Sequence, residues 1–115
     1  MRVKPSPEDL ARKSVLDSVL LAIPGVEAGD MTGLPAYFVS KRMFACIANG
    51  GVGLRLSTSE AAELQFSRDN VGPFQPKGMP STREWVQINH ADPADYAKDI
   101  ELFRASIAFV RGARG

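Results

Sequence analysis

The chain has 115 residues, a length at which one domain buries about 65% of its unfolded surface and needs no disulfide to hold its core. Fourteen Lys and Arg stand against thirteen Asp and Glu, a net charge of +1 with a pI near 7.9, which is far from the basic balance of a dedicated nucleic-acid module. One cysteine excludes a disulfide framework and a thiolate zinc cage, and one histidine excludes any site that needs two.

The first element reads as a helix. Ser6 can cap it, Pro7 suits its first position, and Glu8 and Asp9 favour the positive end of its dipole. Leu10, Val15, Leu16, Val19, Leu20 and Ile23 recur at helical spacing. Pro24-Gly25 ends the run, because proline disfavours helix in the residue before it and glycine accepts the turn after it. Asp17 and Ser18 interrupt the apolar stretch from Val15 to Ile23, so it is neither a signal-peptide core nor a membrane span.

The middle of the chain reads as strands. Val26 to Asp30 is a short one, and Met31 to Pro35 is a turn-rich connector. Ala36 to Val39 is β-prone, Ser40-Lys41-Arg42 turns, and Met43 to Ala48 runs back. Asn49-Gly50 is the preferred pair for a type I′ hairpin turn, whose central positions both need positive φ. Val52, Leu54 and Leu56 then alternate with Gly53 and Arg55, the period of a half-buried strand. Residues 36 to 56 therefore form an antiparallel meander.

Ser57 and Glu60 have capping-box spacing for a short helix that carries Ala61, Ala62, Leu64 and Phe66. Residues 67 to 81, with three prolines and two glycines, read as a structured loop anchored by Val71, Phe74 and Met79. Thr82 to Asn89 is the last strand. The final helix is capped by Asp92, opens on Pro93, carries Tyr96, Ile100, Phe103, Ile107 and Val110 on one stripe, and stops at Gly112. Tight turns between consecutive strands force an antiparallel sheet, and the terminal helices cover one face of it. Residues 1–115 are thus expected to be a single α+β domain of two layers.

Several of these segments resemble a known family. Pro24-Gly25-Val26-Glu27, the Gly33-x-Pro35-Ala36-Tyr37-Phe38-Val39 stretch and Lys41-x-Met43-Phe44-Ala45 look like the MmcQ/YjbR family. The Trp85-Val86-x-Ile88 strand and the helix centred on Ser106 are similar to its carboxyl half. Met43 to Gly50 and Gly72-Pro73-Phe74 also resemble the related TfoX amino-terminal domain. The resemblance implies a curved antiparallel sheet flanked by helices, the CyaY-like fold. It implies DNA binding for some members and competence regulation for the TfoX relative, and it carries over no catalytic residue.

Few residues offer chemistry. His90 has Asp92 and Asp95 nearby, a potential acid-base or metal pair, but Asp92 is already explained as a helix cap. Cys46 lies among apolar neighbours, with nothing in the pattern to lower its pKa, and reads as an inert thiol. Glu8, Asp9 and Asp17 alternate with Arg12 and Lys13 at ion-pair spacing rather than clustering for a hard cation. Gly50-Gly51-x-Gly53 lies between strands and so is a hairpin rather than a phosphate loop.

Lys41, Arg42, Arg55 and Arg83, with Arg68 and Lys77 in the same half, are the basic grouping that a phosphate backbone would contact. Phe74, Trp85 and His90 are the candidate pocket, Phe74 foremost because it lies in a loop. The expectation is a cytoplasmic, non-catalytic binding or regulatory module without cofactor or metal. It would bind a protein partner or itself through an uncovered sheet face or edge. DNA binding through the Lys41-Arg42 hairpin is the alternative, and a small-ligand site or enzyme the third reading. No membrane partner is expected.

Overall fold

The computed structural model describes residues 7–31, 33–48, 50–74 and 83–112. Helix α1 runs Pro7–Leu20, followed by strands β1 (Val26–Met31), β2 (Leu34–Val39), β3 (Arg42–Ala48) and β4 (Gly51–Arg55). Helix α2 (Thr58–Ser67) leads to β5 (Val71–Pro73) and β6 (Trp85–Ile88); a 3-10 helix (Pro93–Asp99) then continues into α3 (Ile100–Gly112). The six strands form one antiparallel sheet in the order β1-β2-β3-β4-β6-β5. The expected α+β class and two-layer arrangement hold: the helices pack on one face of this sheet.

Local chemistry explains most of the boundaries. Gly25 takes φ +88° where α1 gives way to β1, and Gly33 takes φ +92° in the β1–β2 turn, where its N–H donates to Asp30 at 3.0 Å. Ser57 caps α2 by accepting from the Glu60 N–H at 3.3 Å, and Asp92 caps the 3-10 helix through Ala94 N–H at 3.0 Å. The expected cap at Ser6, Asn49 of the β3–β4 turn, the anchor Met79 and the strand start at Thr82 lie outside the described residues. Gly50, beside Asn49, has φ +77°, as a type I′ turn requires.

Four expectations are corrected. The β1–β2 connector is shorter than five residues, since Met31 already pairs with Leu34. The loop after α2 contains a strand, β5, which pairs with β6 despite carrying Gly72 and Pro73; an edge position leaves proline's missing donor without consequence. The last helix begins with 3-10 geometry and becomes α-helical only at Ile100. Leu10 is 53% exposed, because Arg12, paired with Asp9 at 2.6 Å, occupies the buried position one turn ahead of Leu16.

A β-bulge organises the core. Tyr37 pairs with Ala45 and Phe38 with Met43, so Phe44 is the extra residue on β3. The bulge puts Phe44, Ala45 and Ile47 on the helix-facing side and Met43, Cys46 and Ala48 on the other. Strict alternation could not do this. The Phe44 carbonyl accepts from the buried Ser106 hydroxyl of α3 at 3.4 Å, a side-chain partner for a carbonyl at the bulge. Leu16, Leu20, Phe103, Ile107 and Val110 press from the helices onto Val39, Val52, Leu54, Val86 and Ile88. On the opposite face a smaller cluster gathers around Phe74, whose ring lies over Gly53.

Candidate functional site

The sheet register brings the cations named from sequence to one end of the sheet. Lys41 lies in the β2–β3 turn with Ser40, Arg42 opens β3 opposite Val39, Arg55 ends β4 opposite Trp85, and Arg83 precedes β6. Lys41, Arg42 and Arg83 are exposed. Arg55 is spoken for: its guanidinium reaches Glu84 at 2.8 and 2.9 Å and lies 5.6 Å from the Phe109 ring centroid, tying the sheet to α3. Arg68 is likewise engaged, with Asp99, and Lys77 lies outside the described residues.

The aromatic pocket does not assemble as expected. Phe74 and Trp85 do meet, with ring centroids 5.5 Å apart, but Phe74 is only 1% exposed and is a packing residue rather than a ligand platform. His90 lies past the far end of β6, where it packs edge-on against Tyr96 at 4.7 Å. Trp85 opens β6 and His90 lies beyond its other end, so the two face different surroundings.

The partner of His90 is Asp99 rather than Asp92 or Asp95. Its Nε2 donates to Asp99 Oδ2 at 2.7 Å, and Arg68 donates to Oδ1 at 2.9 Å. Asp92 serves as the cap, and Asp95 pairs with Lys98 at 3.1 Å. Tyr96 completes the group: its hydroxyl donates to the Ile88 carbonyl at 3.0 Å and accepts from the His90 N–H at 3.2 Å. Both oxygens of a buried carboxylate are satisfied by donors from other elements, so the arrangement is a clamp.

Cys46 is fully buried, and burial pushes its thiol up to about 12. It is therefore a thiol, not a nucleophilic thiolate, at neutral pH. On α1, Lys13 donates to Asp17 at 2.7 Å and Tyr37 donates to the other Asp17 oxygen at 2.6 Å. Burial alone would raise the Asp17 pKa, but these two hydrogen bonds and the Lys13 charge outweigh it, and the carboxyl titrates below its ordinary value. The Tyr37 hydroxyl is driven well above its ordinary value by burial and by the adjacent carboxylate. Among the described residues, no three His, Cys, Asp or Glu side chains group as metal ligands, and no helix is long and apolar enough to cross a membrane.

The feature that sequence reasoning missed is a groove of about 420 Å³ between the end of α1 and α3. Val19, Ile23 and Pro24 line it from the end of α1 and the turn that follows, and Ile100, Ile107 and Ala108 line it from α3. Arg104 and Arg111 line it from α3. Arg111 donates to the Pro24 carbonyl at 3.0 Å, bracing the α1 exit, and a side chain on Gly25 would collide with it. Arg104 is exposed and makes no ion pair with any described residue. The spacing Ile100, Arg104, Ile107, Ala108, Arg111 was the available signal: it marks a helix face that is apolar yet carries two cations. No family model matches this chain, and no curated protein is similar to it.

Proposed function

We propose that the chain is a cytoplasmic, non-catalytic binding module, resembling MmcQ/YjbR proteins, that docks a protein partner. The observation that carries this reading is the groove between α1 and α3. Its volume suits a few apolar side chains of a partner, the scale of helix-in-groove recognition. Its lining offers hydrocarbon and two guanidiniums, which hold apolar and acidic surfaces by contact and charge. That chemistry recognises; it does not transform. A buried, unpaired cysteine fits a reducing compartment.

The test compares partners captured by the wild-type chain and by Ala108→Arg, which fills the groove from an exposed position, each with and without nuclease. Partners that survive nuclease and are lost with Ala108→Arg support the reading. Retention of every partner by Ala108→Arg overturns it. A second reading, DNA contact through the sheet end, is favoured by the joint exposure of Lys41, Arg42 and Arg83. It requires partners that vanish with nuclease, and duplex affinity that falls steeply with salt and again when Lys41 and Arg42 become alanine.

A further inference from the structure

The most exposed large apolar side chain described is Phe66, at 93%, on the outer face of α2. It shares that face with Ser59, Ala62 and Glu63, all exposed, at the i, i+3, i+4 and i+7 positions of a helix. Phe66 makes none of the core contacts of α2, which buries Ala61 and leans on Leu64 instead. An aromatic ring with a carboxylate one turn away is the chemical complement of the groove, where an apolar floor lies between Arg104 and Arg111. Those two arginines are seven residues, about 10 Å of helix axis, apart.

From this complementarity we infer that the groove is occupied by α2 of a second copy of the chain, with Phe66 on Ile100 and Ile107 and Glu63 beside Arg104. The inference rests on the reading of the groove as a docking surface and names its occupant. Within one molecule the two surfaces do not meet: Phe66 is 93% exposed and takes no part in lining the groove. Two copies can exchange helix for groove reciprocally about a two-fold axis, or each can offer its helix to one neighbour and its groove to another; the mass reached tells the closed pair from the open chain.

The experiment is sedimentation of the purified chain from micromolar to near-millimolar concentration, with Phe66→Glu and Arg104→Glu as variants. Both positions are exposed, and unchanged melting temperatures confirm that the variants fold. The wild-type mass is expected to rise with concentration to two chains or more, and more weakly at high salt. Each variant alone is expected to weaken association at least tenfold. An equimolar mixture of the two variants retains one intact helix and one intact groove, and is expected to give a one-to-one complex and nothing larger. A wild-type chain that stays single at the highest concentration overturns the inference, as does self-association that both variants leave unchanged. If the chain stays single while Ala108→Arg still loses its captured partners, the second copy is ruled out and the docking groove stands. If association persists in both variants and Ala108→Arg retains every partner, both readings fall.

Discussion

His90 and Asp99 stand 2.7 Å apart, and the same carboxylate holds Arg68 through its other oxygen at 2.9 Å. Arg68 closes α2, His90 follows β6, and Asp99 is the last residue before α3. One buried side chain, 5% exposed, therefore joins three elements. Replacing Asp99 with alanine leaves the imidazole without its acceptor, while Arg68, 38% exposed, turns to water. Hydrogen bonds to a charged group contribute about 1.5–3 kcal/mol each, so Asp99→Ala should lose about 2–3 kcal/mol. Asp92→Ala removes only a cap and should lose about 1 kcal/mol. Urea unfolding with an unchanged m-value measures both, and equal losses would show that Asp99 is no clamp.

The Tyr37–Asp17 hydrogen bond predicts pH dependence at both extremes. The Asp17 carboxyl is depressed in the folded chain, so its contribution is present above the ordinary value of 3.8 and is lost as pH falls below it. The Tyr37 hydroxyl is raised, so its contribution is present below the ordinary value of 10.0 and is lost as pH climbs above it. Tyr37→Phe should flatten both limbs in part, since the buried Cys46 thiol, pushed up to about 12, still titrates on the alkaline side and Lys13 still holds Asp17. Melting temperatures recorded across pH for the two proteins decide this; parallel curves would contradict it.

Gly53 is where the sheet and Phe74 touch most closely. A methyl group there would lie 2.6–2.8 Å from three atoms of the Phe74 ring. Gly53→Ala should cost about 1–3 kcal/mol by overpacking. Phe74→Leu should recover part of that loss in the double variant, because the collision disappears. The signature is non-additivity in a double-mutant cycle, and simple addition of the two losses would mean that the ring moves aside freely.

The β2–β3 turn places Ser40 at φ +51° and Lys41 at φ +63°, a left-handed pair without glycine. Each such residue costs about 1 kcal/mol. Replacing the pair with Asn-Gly should stabilise the chain by about 1 kcal/mol and raise the melting temperature by about 4 °C. The same double variant removes the Lys41 charge, so a concurrent fall in any duplex affinity would come from charge rather than from unfolding.

Much of the fold was legible because short-range rules dictate it. Ser57 and Asp92 announced their helices as caps, Pro24-Gly25 announced the exit of α1, and Val52, Leu54 and Leu56 announced the face that β4 buries. Of the stripe Tyr96, Ile100, Phe103, Ile107 and Val110, four are buried even though the first turns are 3-10, while Ile100 is half-buried and lines the groove. The candidate site was far less legible. Phe74 and His90 looked adjacent in purpose but lie apart; Asp92 was read as a cap and is one, while Asp99, the partner of His90, was not named.

By itself the sequence determined the order of the helices and of the meander strands, the positions of the caps and the antiparallel class, because each rests on steric and hydrogen-bond preferences within a few residues. Only the tertiary structure decided the bulge at Phe44, the edge strand β5 and the Arg68–Asp99–His90 clamp. It alone also placed a groove between residues near 20 and residues near 104, and left Phe66 exposed on the outer face of α2. Those features depend on which distant surfaces come to share a face, and that is settled by the packing of the whole core rather than by any local pattern.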